Sequence, residues 1–157
     1  MKIFYQNRTW GRGINAVRLL VTVAVLTLPW MDNASAVAQA TCTRDDAMKA
    51  MSEASDLKTW GSVFDSYKKY KQCDDGATAE GYSASVAYLL ADKWQDIGQL
   101  LSLSGKSNGF RQFVLKHVDE TMSKDQSITI SKNIKYHCPI AAKVLCADIR
   151  HRFAEFQ

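Results

Sequence analysis

Proline is scarce in this 157-residue chain, which has only Pro29 and Pro139. No regular train of turn signals divides it into short alternating segments, and this argues against an all-β sandwich or barrel. No apolar run approaches the roughly 20 residues that a membrane-spanning helix needs. Motifs that carry chemistry are equally sparse. There is no Gly-x-Ser-x-Gly elbow, phosphate loop or dinucleotide fingerprint. The three histidines, His117, His137 and His151, form neither a His-x-x-x-His nor a His-Glu-x-x-His pair. His137 precedes Cys138, but adjacent residues rarely point at one another, so no cysteine–histidine nucleophile is read there. The four cysteines contain no Cys-x-x-Cys, which disfavours zinc. No cofactor and no metal is expected, and the balance leans away from an enzyme.

What the chain does have is an export-like beginning. Lys2, Arg8, Arg12 and Arg18 precede the apolar run Leu19–Trp30, and small-x-small sites follow at Ala34-Ser-Ala36, Ala36-Val-Ala38 and Ala38-Gln-Ala40. This is the order of a secretory signal peptide. Residues 1–40 are therefore expected to be a signal peptide cut after Ala40, with an uncleaved anchor as the alternative. No adjacent Arg-Arg supports a twin-arginine route, and Gln39-Ala-Thr-Cys42 lacks the pattern of a lipoprotein box. The expected location is periplasmic or secreted, without stable membrane insertion after cleavage.

Removing that segment changes the charge. The whole chain has 20 basic and 16 acidic residues, net +4. Without four bases and one acid it has 16 against 15, net +1. Nothing remains basic enough to indicate nucleic acid as a partner, and Lys68-Lys69-Tyr70-Lys71 reads as a solvated helix face.

Residues 41–157 make one ordinary domain. Cys42, Cys73, Cys138 and Cys146 all lie within it, and an even count in an exported chain predicts two disulfides. If helices leaving Thr43 and ending at Gln72 form an antiparallel hairpin, Cys42 meets Cys73, leaving Cys138 for Cys146. Eight residues of continuous helix rise about 12 Å, beyond the roughly 7 Å Cα limit of a disulfide. The second pair thus requires Pro139 to fold Cys138 back; otherwise the crossed pairings hold.

Helical periodicity runs through nearly all of the domain. Thr43 can cap a first helix presenting Met48, Met51, Ala54 and Leu57. Thr59 can cap a second, with the clear stripe Trp60, Val63, Phe64, Tyr67 and Tyr70. A third, from about Ala77 to Trp94, turns Tyr82, Val86, Leu89, Leu90 and Trp94 inward. A short fourth carries Ile97, Leu100 and Leu101 and ends in Ser104–Gly109. A fifth places Phe110, Phe113, Val114, His117 and Val118 on one face, with His117 a hydrogen-bonded core residue. Ser123-x-x-Gln126 has the form of a capping box, yet Ser127-Ile-Thr-Ile-Ser131 alternates like a strand, so that segment stays open. Pro139 suits the start of a last helix with the inner stripe Val144, Leu145, Ile149, Phe153 and Phe156. The prediction is an all-α, compact, irregular bundle of six or seven helices. Trp60-x-x-Val63 and Trp94-x-x-Ile97-Gly98 recur at the 34-residue tetratricopeptide spacing, but the later small-residue positions fail and coincidence is preferred.

The most loaded stretch is Cys73-Asp-Asp-Gly-Ala-Thr-Ala-Glu-Gly-Tyr82. Asp74 and Asp75 are adjacent and point apart, which does not fit a calcium loop with ligands at alternate positions. Asp74 or Asp75 can instead cap the third helix, with Glu80 in its early turns. As candidate partner-binding residues we take Asp74, Asp75, Glu80 and Tyr82; no residue is taken as catalytic.

From Trp60 to Cys146 the chain resembles a group of small exported bacterial proteins of unassigned function. The shared segments are Ser66-Tyr-Lys-Lys-Tyr70, Cys73–Tyr82, Leu89-Leu-Ala91, Phe110-Arg-Gln-Phe-Val-Leu-Lys-His117 and His137-Cys-Pro139. At the level of class it also resembles periplasmic immunity proteins of the type VI secretion amidase systems, which are small, helical, disulfide-containing and exported. That likeness implies a non-enzymatic protein-binding module whose partner is another protein, such as an inhibitor of a toxin enzyme. The alternatives are a cell-envelope hydrolase using Glu80 with Asp74 or Asp75, and a structural or stress-response envelope protein.

Overall fold

The computed structural model describes residues 41–156, so the expected signal peptide lies outside the described residues. Seven helices follow one another: α1 (Arg44–Glu53), α2 (Trp60–Tyr70), α3 (Gly76–Asp92), α4 (Ile97–Lys106), α5 (Asn108–Lys116), α6 (Lys124–Tyr136) and α7 (Lys143–Ala154), with short 3-10 turns between several of them. No strand occurs among the described residues. The helices share one core, in which Trp60, Tyr82, Leu89, Leu90, Leu100, Phe110, Ile130, Leu145 and Ile149 are fully buried.

Local chemistry sets the helix starts. Thr43 accepts from Asp46 N–H, and Thr59 and Ser62 form a reciprocal capping box at α2. Ser107 alone separates α4 from α5 and caps the latter through Phe110 N–H. The segment expected to end α4 is thus shorter than a loop: α4 continues to Lys106, and the extended backbone of Ser107 alone interrupts the helix before α5. At α6 the Ser123–Gln126 box forms, and residues 127–131 are helical. Ile130 and Ile134, one turn apart, are buried while Ile128 is exposed, so the period of 3.6 prevails over the local alternation.

Helix α3 is the centre. Buried residues occur at consecutive positions along it, including Gly81-Tyr-Ser83 and Ser85-Val-Ala87, because neighbours cover it on several sides. On one side the turn after α1 approaches unusually closely. A Cβ on Gly81 would lie 2.8 Å from Ala54 Cβ and 3.1 Å from the Ser55 backbone nitrogen. One turn on, the buried Ser85 hydroxyl donates to Ala54 C=O (2.6 Å) and accepts from Leu57 N–H (3.1 Å). These bonds satisfy backbone groups that a closely packed turn would otherwise bury unpaired. At the far end Asn133 of α6 donates to the carbonyls of Leu90 and Ala91, and Trp94 Nε1 donates to His137 C=O.

That close approach also corrects the reading of α1. Met48 and Met51, expected inside, are more than half exposed, whereas Ala54 and Leu57 of the same expected face are buried and Ala50 joins them. At the closest point only a side chain as small as that of Ala54 fits against Gly81. Likewise Val144, expected on the inner stripe of α7, is exposed. Leu145, Ile149 and Phe153, spaced four apart, take that stripe.

Both disulfides follow the hairpin pairing. Cys42–Cys73 has a Cα separation of 4.9 Å and Cys138–Cys146 one of 6.4 Å. The second closes because α6 stops at Tyr136 and Pro139 opens a 3-10 turn, Ile140–Ala142, before α7 begins. Chain-entropy reasoning assigns about 4 kcal/mol to the first link, across 31 residues, and ~2.5 kcal/mol to the second, across 8.

The α3 contact is directly testable by urea unfolding. Gly81→Ala is expected to destabilise by about 1–3 kcal/mol through overpacking. Gly105→Ala on α4, where an added Cβ meets nothing within 4 Å, is expected to be neutral or to stabilise by up to about 1 kcal/mol.

Candidate functional site

The acidic stretch folds so that its candidates divide. Asp75 is the N-cap of α3, accepting from Gly76 N–H at 2.8 Å. Gly76 itself has φ +50°, a left-handed conformation in which a side chain is strained. Glu80 lies on the exposed side of the same helix. Asp74 turns inward, its side chain 8% exposed, and Tyr82 is fully buried. The structure therefore places two of the four candidates at the surface and two inside, and it does not assemble the three carboxylates. Among the described residues no group of three His, Cys, Asp or Glu could hold a metal ion.

Around Asp74 a polar chain runs through the core. One carboxylate oxygen accepts from Lys116 Nζ at 2.8 Å, and Lys116 also donates to the Asp74 carbonyl. The other oxygen, Oδ1, lies 3.2 Å from His117 Nε2. The two atoms are within ion-pair reach without a well-aligned hydrogen bond, and neither has another partner. On its other edge His117 Nδ1 is 3.1 Å from Ser83 Oγ, and Ser83 donates to Asp119 Oδ2 at 2.7 Å. Asp119 Oδ1 accepts from the backbone and hydroxyl of Thr121. Phe113 and Tyr82 pack edge-on or tilted against the imidazole, at centroid distances of 4.5 and 5.6 Å. The Tyr82 hydroxyl is 2.8 Å from Ser66 Oγ.

Asp, His and Ser in mutual contact are the components of a nucleophilic triad, but the protons are wrongly arranged for one. A hydroxyl has a single proton, and Ser83 directs it at Asp119 rather than at the ring. With its proton directed at Asp119, Ser83 has none to give the ring and can only accept from Nδ1. His117 is 1% exposed and Ser83 2%, so a substrate has no approach to either in this conformation.

The ionisation of the flanking groups fits a structural role. Burial pushes the Asp74 carboxyl up, but the close contact with His117 and the hydrogen bond and charge of Lys116 outweigh it and hold it below the usual carboxylate range. Asp119 behaves alike: burial raises it, while bonds from Ser83 and Thr121 and the His117 charge bring it down further. Burial pushes the Tyr82 phenol up; its bond to Ser66 works against this, and the charges of Glu53 and Asp74 add to it. A general acid at neutral pH needs a raised carboxyl, the opposite of what Asp74 shows.

The sequence reading did not connect Ser83, Lys116 or Asp119 with Asp74. The hydrogen-bonded contacts that link them span 34 to 42 residues along the chain and leave no local signal. The one available hint was His117 itself, a polar ring on an otherwise apolar stripe.

Compared with known proteins, the chain matches no family model, no curated protein and no solved structure.

Because Asp74 and Asp119 are lowered in the fold, they contribute stability that is complete above the unfolded carboxylate range and is lost as pH falls through their folded values. The native protein is expected to lose stability below about pH 4, with the acid limb shallower in Asp74→Asn and Asp119→Asn. At neutral pH, Asp74→Asn is expected to cost about 1.5–3 kcal/mol. Urea titrations across pH read both effects.

Proposed function

We propose that this is an exported, disulfide-stapled module that binds another protein and has no catalytic role. One contrast carries the reading. The His117, Ser83 and Tyr82 cluster is buried in the core, whereas large apolar side chains stand at the surface around the Cys138–Cys146 link. Tyr136 is 65% exposed, Ile140 82% and Val144 67%. Burying such residues against a partner is worth about 1.5–3 kcal/mol each, and aromatic anchors of this kind are typical of interface hot spots. The two disulfides fit an oxidising compartment, and among the described residues no helix is long and apolar enough to cross a membrane. The signal-peptide pattern supplies the route. The class likeness to periplasmic immunity proteins makes the inhibitor of a toxin enzyme the specific form of this function. The hydrolase alternative, Glu80 with Asp74 or Asp75, loses support because Asp74 is held by Lys116 and His117 and Asp75 caps α3.

A photo-crosslinking residue introduced at Ile140 tests this in the oxidised protein expressed in its own compartment. The expected outcome is one discrete covalent adduct with a protein, missing when the probe replaces Lys68 on α2. Mature protein beginning near residue 41 should accompany it. Equal labelling from both positions, or none from Ile140, would contradict the proposal.

A further inference from the structure

On the reading that this protein binds another, we infer that the groove between α6 and α7 receives an acidic, amphipathic segment of the partner, most simply a helix. Two hollows of about 520 and 490 Å³ lie along these helices and meet at Ser131, which lines both. Their floor is apolar: Met122, Ile134 and Phe153 are nearly buried, Phe156 is half-buried, and Ile128 is open to solvent. Their edges are basic, with Lys124, Lys132, Lys135 and Arg150 all exposed. None of these four takes part in an ion pair among the described residues, in contrast to Arg111, Lys116 and Arg152 nearby. Glu120 is the single acid that lines the hollows.

Charge and shape together select the occupant. Four unpaired cations on the rim favour carboxylates flanking whatever enters, and electrostatic complementarity of this sort steers encounter and fixes register. An apolar floor below that rim accepts side chains inserted from above, as in helix-in-groove recognition with anchors at i, i+3, i+4 and i+7. A bilayer surface fits less well. Membrane-binding helices project their apolar side outward, into the lipid, whereas here the apolar atoms lie at the bottom of a concavity. The 13-residue α6 is about 20 Å long, room for three to four turns of a docked helix. Tyr136, with Lys135 Nζ 4.9 Å above its ring, adjoins this face, so the groove and the exposed aromatic belong to one surface.

Fluorescence anisotropy of two synthetic amphipathic helical peptides, one of Leu and Glu and one of Leu and Lys, tests the inference on the oxidised protein. The Leu–Glu peptide is expected to bind, more weakly as salt rises. Lys132→Glu with Lys135→Glu is expected to weaken it about tenfold or more, while Lys68→Glu with Lys71→Glu on α2 leaves it unchanged. Thermal melts identical to the parent's show that the variants remain folded. Equal binding of both peptides, no binding of either, or a salt-insensitive affinity would overturn the inference. So would binding to phosphatidylglycerol–phosphatidylcholine vesicles in preference to the peptide, or salt-dependent self-association abolished by the Lys132/Lys135 reversal. An adduct at Ile140 with no peptide response would leave the protein-binding role standing and remove the groove from it.

Discussion

A carboxylate turned into the protein needs compensation, and at Asp74 the compensation organises much of the surrounding structure. Lys116 and His117, successive residues at the end of α5, hold its two oxygens and so fasten that helix to the loop before α3. The same loop contains Cys73, tied to Cys42 ahead of α1, then Asp75 as a cap and Gly76 in its left-handed turn. Three kinds of constraint therefore meet within four residues: a covalent link, a buried ion contact and a helix start. Removing a partner leaves the inward carboxylate without its compensation, which makes this loop sensitive out of proportion to its size.

From there α3 distributes the constraint. One edge meets α5 through Ser83 and His117, another meets the turn after α1 through Gly81 and Ser85, and its C-terminal carbonyls are held by Asn133 of α6. The central helix of the bundle is thus rich in small and hydroxylic residues where a uniformly apolar helix would be the simpler choice. Small side chains admit close backbones, and the hydroxyls satisfy polar groups that closeness would leave buried.

Much of this architecture is legible in the chain. The stripes of α2 and α5, the cap at Thr59, the capping box at Ser123, and the hairpin that joins Cys42 to Cys73 are local patterns that packing follows. What escapes is non-local. Met48 and Met51 look like core residues until Gly81, 30 or more positions away, proves to require alanine opposite it. Val144 likewise follows an apolar pattern but sits one position off the row that α6 and the core accept. The candidate site divides in the same way. Its acidic composition is evident, and a cap by Asp74 or Asp75 follows from sequence, the fold selecting Asp75. The inward turn of Asp74 depends on Lys116, His117, Ser83 and Asp119, which only the tertiary fold brings together.

Within an otherwise apolar core, the cluster of Asp74, His117 and Ser83 is the main polar element. If the Asp74–His117 contact is a structural pin, a double-mutant cycle with Asp74→Asn and His117→Gln, read by urea unfolding at neutral pH, measures it directly. The account predicts a coupling of about 1–3 kcal/mol, each substitution costing much less once the other is present. Additivity within about 0.5 kcal/mol, as for independent residues, would contradict it.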